Sequence, residues 1–226
     1  AYYNGWGVKK NYEEAVKCFK DCAEKGMPSA EYLMGISYYN ERGVKKNDVE
    51  AAKYFLKSAQ DGYPPAQRNI GSCFLNGWGV EKNEAEGVKW FKKSAENGLP
   101  EGMFCLAYHY SNGSGIKQSD AKSIEWYKKS ALDGLPEGQF SLGNRYENGR
   151  GVKKDTIEAF AYYSLAESKD KDAREALKKL SKSMSKDELE LGHKRHQELQ
   201  SKCMSEAKDT AFYEWQDLKR FSKLTK

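Results

Sequence analysis

Glycine followed by valine or isoleucine returns at Gly7, Gly43, Gly79, Gly115 and Gly151, each step being 36 residues. A strict period of that size marks a stacked repeat array, in which each unit contacts its neighbours and no single globular centre is needed. The 226 residues therefore need not be divided into one or two compact domains. Composition fits this reading. Only 38% of residues are hydrophobic but 13% are aromatic, as suits a narrow core filled by large rings.

Within one period the signals are local and ordered. Asn11 and Glu14 have the spacing of a capping box, in which two side chains satisfy orphan N–H groups at a helix start. Asn47/Glu50, Asn83/Glu86 and Asp155/Glu158 repeat it, while Ser119 keeps the cap without the acid. Small and apolar residues then recur at helical spacing, as in Ala15, Val16, Phe19, Cys22 and Ala23. Gly26, Gly62, Gly98 and Gly134 end that helix, and Pro28, Pro64, Pro100 and Pro136 open a second one. The second helix ends at Asn40, Asn76, Asn112 or Asn148, before a Gly-containing turn. Each unit is thus a pair of antiparallel helices, and neither can hide its apolar face without its neighbours.

The run Asn76-Gly77-Trp78-Gly79-Val80-Glu81-Lys82-Asn83, with Trp90-Phe91 and the following Ser-Ala-x-x-Gly, resembles the Sel-1-like repeats, relatives of the tetratricopeptide repeats. Five in-phase copies cover residues 1 to about 166, with Glu41 replacing a turn glycine in one of them. The resemblance implies an all-α, right-handed superhelical solenoid of 36-residue helix pairs that does adaptor or scaffold work. It implies no catalytic residue. Tyr2-Tyr3-Asn4-Gly5 aligns with Tyr38-Tyr39-Asn40, so the sequence is expected to start within a repeat, with more of the array upstream. Its first residues do not read as a secretion signal.

After Ala166 the phase fails, since position 170 is Asp where glycine is due. The array is read as residues 1–168 and a helical C-terminal extension as 169–226, with helices over 171–183, 186–207 and 209–224. The last repeat helix, Thr156 to Ala166, carries Ile157, Phe160, Ala161, Tyr162, Tyr163 and Leu165 and keeps hardly any polar face. Such a helix expects burial all round, so the C-terminal helices should fold back and cap the array. The alternative is that the aromatic 209–226 segment docks into a partner or a second copy.

Chemistry-bearing patterns are sparse. A glycine-rich turn copied five times without a preceding strand or GxxxxGK[ST] is structural and not a phosphate loop. His193 and His196 lie three apart on a helix without further ligands of suitable spacing, so they are read as surface residues. Five cysteines without repeated pairing read as free thiols, which favours a reducing compartment. A net charge of +5, with both signs interspersed, argues against nucleic acid as partner. No run approaches the roughly 18 apolar residues that span a bilayer. No catalytic residue, cofactor or metal is expected.

The partner-binding candidates lie on the Asn-capped helices, taken as the first of each pair and therefore, by the resemblance, as the lining of the concave face. They are the aromatics Tyr54, Trp90 and Trp126 and the lysines Lys17, Lys53, Lys89, Lys92 and Lys128, the latter suited to an acidic peptide or protein. The bland reading is core or rim packing for the rings and a solvated face for the lysines. Two functions stay open beside each other: an adaptor or scaffold binding a protein or peptide, and a bacterial immunity or inhibitor protein blocking one toxic enzyme. An enzyme with a site in the C-terminal helices would need a bound metal or cofactor.

Overall fold

Capped, proline-led segments that alternate this regularly leave room for helices and tight turns only. The computed structural model describes residues 2–3 and 9–206, the side chains of 204–206 excepted, and every regular element among them is helical. The elements are α1 (Tyr12–Glu24), α2 (Pro28–Tyr39), α3 (Asp48–Gln60), α4 (Pro64–Asn76), α5 (Glu84–Glu96), α6 (Pro100–Asn112), α7 (Asp120–Leu132), α8 (Pro136–Asn148), α9 (Thr156–Ala166), α10 (Lys171–Ser181) and α11 (Lys186–Glu206). They fall into two compact units, one ending at Asn97 and the other beginning at Gly98. The expected 209–224 helix, and the question of what it docks on, lie outside the described residues.

The caps form, but in half of the expected way. Side chains of Asn11, Asn47, Asn83, Ser119 and Asp155 each accept the N–H three residues on. The return bond from the glutamate to the cap N–H is not made at Asn47, Asn83 or Asp155. That N–H closes the preceding turn, donating to Tyr38 O at 3.1 Å, Phe74 O at 2.7 Å and Tyr146 O at 2.9 Å respectively. Long-range closure of the turn therefore takes the donor that a capping box would use locally. Only Ser185/Glu188 is reciprocal, with bonds of 2.7 and 3.3 Å. The turn itself needs left-handed residues. Gly79 has φ +68° and a Cβ there would strike the Asp48 backbone carbonyl, and Glu41 adopts φ 56° where glycine stands elsewhere.

Helix pairs close tightly because the Pro-led helix offers backbone instead of side chain. At Gly35 and Gly71 in the first unit, and Gly143 in the second, an added Cβ would lie 2.5, 2.8 and 2.7 Å from the rings of Phe55, Phe91 and Tyr163. Buried serine hydroxyls beside Phe55, Phe91 and Tyr127 tie their pairs as well. Ser58, Ser94 and Ser130 donate to the carbonyls of Pro28, Pro64 and Pro100 at 2.6, 2.9 and 3.0 Å. Next to these, Gln67 donates to Ala59 O at 3.1 Å and Gln139 to Ala131 O at 3.0 Å. Glu31 holds the same position in the first repeat and is fully buried. A carboxylate cannot donate, and neither of its oxygens has a hydrogen-bond partner. The Lys57 ammonium lies 2.8 Å from Oε1, and this ion pair compensates the burial. That contact holds the Lys57 pKa above the ordinary 10.5.

In the second unit α10 and α11 pack on α9, whose Ala159, Phe160, Ala161, Tyr162, Tyr163 and Ala166 are all buried. Burial pushes the Tyr162 and Tyr163 hydroxyls upward, and Tyr163 donates to Glu147 at 2.6 Å. Asp170, the residue that breaks the repeat phase, is the N-cap of α10 and accepts from Ala173 N–H at 2.9 Å. Gly192 lets α11 approach the Phe160 ring, and Arg195 meets Glu158 at 2.7 Å.

Two stability predictions follow. Lys57→Met should lower the melting temperature by several degrees, since it strands the buried carboxylate at a cost of about 1–3 kcal/mol. Adding Glu31→Gln should recover the loss by donating to the Ala23 carbonyl; a calorimetric double-mutant cycle reads this. The stabilisation from the pair is complete below pH 10.5 and should fade as pH rises through the elevated Lys57 value. In the second unit, Arg195→Met should raise amide exchange across 186–203 and leave α2–α5 unchanged.

Candidate functional site

Four of the lysine candidates pair within their own helices, and Lys128 reaches a ring of α8. Lys17, Lys53 and Lys89 are strongly exposed and reach Glu14, Glu50 and Glu86 at 2.7, 3.7 and 2.9 Å. These are the glutamates freed when the cap N–H turned to the preceding helix. Lys92 meets Glu96 at 3.6 Å, and Lys128 lies over the Tyr146 ring at 5.9 Å. The pairs are solvated and weakly held, so the row presents alternating charge more than a cationic field.

The aromatic candidates face inward. Trp90 is only 6% exposed and belongs to the first unit's core, with the Lys93 ammonium 3.9 Å from its ring centroid. Its place as a contact ring is thereby corrected: the position points at the partner helix of the pair. Tyr54 is half-buried and stacks on Tyr38 at 5.8 Å and 16°, and burial raises its pKa. Trp126 is half-buried under Lys129, 4.1 Å from its centroid.

The open surface that the structure does supply lies on the Pro-led helices. A cavity of about 420 Å³ runs between α2 and α4 in the first unit. Its walls are the same face of both helices, taken at every fourth residue: Tyr32, Ile36 and Asn40 from α2, and Arg68, Ser72 and Asn76 from α4. Phe55 and Cys73 also line it. Tyr39 and Trp78 line it too, their centroids 5.7 Å apart and their planes tilted by 46°. Trp78 is 40% exposed. The turn that carries it is set by the close approach of Gly79 to α3.

Electrostatically the cavity has one sign. Arg68 is the only charged residue among those lining it, and it donates to Asn69 Oδ1 at 3.0 Å. Asn40 and Asn76 each donate one amide N–H to the carbonyls of Ile36 and Ser72. Burial pushes the Cys73 thiol up to about 11, with Asp48 adding to it. None of these groups is arranged as nucleophile and base.

The sequence candidates lie on the Asn-capped helices, away from the α2 and α4 walls of this cavity. One signal was available: positions 35, 71, 107 and 143 hold only Gly or Ala, whereas 32, 68, 104 and 140 hold Tyr, Arg, Phe and Phe. Elsewhere, His193 sits edge-on to Phe160 at 5.0 Å and His196 lines a separate polar cavity, so the two do not converge. Among the described residues no group of three or more His, Cys, Asp or Glu side chains could hold a metal, and no helix is long and apolar enough to cross a membrane.

Comparison with known proteins gives a consistent picture. The model of the Sel1 repeat matches residues 1–27, 28–63, 64–99, 100–135 and 136–178. Its unit starts at the proline, so α2, α4, α6 and α8 are the first helices and the capped ones are second; the sequence reading had cut the period at the other boundary. Among solved structures, a protective antigen of uropathogenic Escherichia coli displaying an SLR fold is 32% identical over 87% of this chain, with TM-score 0.75. The match spans only 44% of that antigen's chain. A Sel1 repeat protein from Oxalobacter formigenes is 30% identical over 75% of this chain and 70% of its own, with TM-score 0.68. An immunity protein from Pseudomonas aeruginosa shares the fold at 19% identity, over 90% of this chain and 80% of its own, with TM-score 0.52. No curated protein matches the sequence.

The thiols give a direct check on the cavity wall. At pH 8 iodoacetamide should label exposed Cys18 rapidly and leave Cys73 unmodified until the first unit unfolds, because about one Cys73 in a thousand is thiolate there. Peptide mapping of a labelling time course measures both.

Proposed function

The chain belongs to the Sel1 repeat family, whose members are generally protein-interaction modules, and we propose that it acts as a non-enzymatic adaptor or scaffold that engages a partner protein or peptide through the α2–α4 cavity. The observation that carries this is the cavity itself: about 420 Å³, walled by Tyr39 and Trp78 and built on rigid helices. Exposed aromatic rings beside a concavity are what interface anchors require, because they bury much area with few rotors to fix. The lysine row on the capped helices ranks second as a contact surface, since its charges are already paired.

A second reading, an inhibitor that blocks one toxic enzyme, draws on the fold shared with the immunity protein. The two differ in what they demand: an inhibitor holds one partner tightly and stoichiometrically, an adaptor holds several weakly.

A photo-crosslinking residue placed at Asn69 or Ser72 should yield a covalent protein adduct in source cells. The same residue at Lys17, Lys53 or Lys89 should not. Adducts from the lysine positions alone would move the contact surface to the capped helices. A single adduct that persists through stringent washing at one-to-one stoichiometry would favour the inhibitor.

A further inference from the structure

We propose that the α2–α4 cavity takes an extended, proline-bearing peptide segment with a carboxylate side chain beside the proline, the carboxylate meeting Arg68 and the pyrrolidine ring seated against Tyr39 and Trp78. The inference rests on the chain being a protein-interaction module and specifies what that site reads.

Shape comes first. The two walls are stripes of three residues spaced by four, so each runs about 12 Å at 1.5 Å per residue. About four residues of a polyproline-type segment, at 3.1 Å each, fit that length. A docking helix would instead want an apolar trough for its anchors at every third or fourth position. Here Asn40, Asn69, Ser72 and Asn76 interrupt the apolar surface too often for that.

The aromatic end selects the side chain. Tyr39 and Trp78 touch at a tilt of 46° with centroids 5.7 Å apart, and together they form a wedge-shaped platform whose Trp78 side is exposed. A compact saturated ring without hydrogen-bond donors packs against such a platform, and a proline segment arrives with little entropy left to lose. Its backbone needs few bonds from the protein, which suits walls where Asn40 and Asn76 each give one amide N–H to their own helix.

Charge sets the direction. Arg68 is the sole charged lining residue, and its bond to Asn69 Oδ1 uses one N–H of five. The remaining fork is free to accept a carboxylate in bidentate fashion. One cation is far too little for a polyphosphate chain. The corresponding positions of later repeats are Phe104 and Phe140, which carry no charge.

The test is selection of displayed random 12-residue peptides on the full chain, followed by fluorescence polarisation with synthetic winners. Enriched peptides should contain proline next to Asp or Glu. Trp78→Ala and Arg68→Glu should each weaken them at least tenfold, with the helical circular dichroism unchanged. Arg68→Glu should regain binding when the peptide's acid is replaced by lysine. Enrichment without proline or acid, or affinity indifferent to Arg68→Glu, would overturn the proposal. So would Trp78-dependent binding of chitohexaose in place of peptides, which would make the wedge a sugar platform. Protein adducts at Asn69 with no such peptide preference would sink this inference and leave the interaction module standing.

Discussion

Everything in the array depends on a missing methyl group. The eighth residue of the Pro-led helix is glycine in three of four copies, and the ring of the following helix lies where its Cβ would be. In the first two pairs the serine of the same helix also bonds the proline carbonyl, a bond that Ser130 repeats in the pair with Ala107. The fourth copy shows how much slack exists: Ala107 stands there and shares a fully packed cluster with Tyr127. One methyl is accommodated when the opposing ring shifts, whereas a branched side chain would meet backbone behind it.

A second constraint sits at the glutamate three residues after the cap in α1, α3, α5 and α9. Because the cap N–H closes the preceding turn, this carboxylate is released from local duty and takes the nearest cation. In the first unit that cation is the lysine one turn on, which is why the lysine row is a solvated ladder. In α9 the residue one turn on is Ala161, and Glu158 instead finds Arg195 of α11. One position thus serves surface solvation in early repeats and attaches the covering helix in the last. The same substitution logic turns Lys57 from ring-covering, as Lys93 and Lys129 are, to neutralising Glu31.

Helix boundaries were legible because caps, left-handed glycines and prolines act within four residues of one another. The expected last-repeat helix over 156–166 is found, α10 ends two residues before its expected end, and α11 starts at the expected residue. The cavity was not legible, since its walls join residues 36 apart and its end depends on a turn held by α3. Glu31 was hidden for a related reason. A glutamate in the first turn of a helix reads as a favourable surface acid, and only its alignment with Gln67 and Gln139 betrays that the position is interior. Trp90 misled in the opposite sense, because an aromatic beside the core stripe reads equally well as edge or interior until the neighbouring helix is placed.

Recognition can change along such an array without loss of fold, because the two tasks use different faces of one helix. Gly35, Gly71 and Gly143 look toward the ring of the pair, while Ile36 and Ser72 look into the cavity and take no part in the glycine–ring or serine–proline contacts. Tyr32 is the exception that ties the faces together: it lines the cavity and packs against Phe55 at 5.9 Å and Tyr63 at 5.4 Å. Replacing Ile36 or Ser72 therefore alters what the surface reads, whereas replacing Tyr32 also loosens the pair that supports it. Arg68, its counterpart one repeat later, has no such second task and is free to carry the charge.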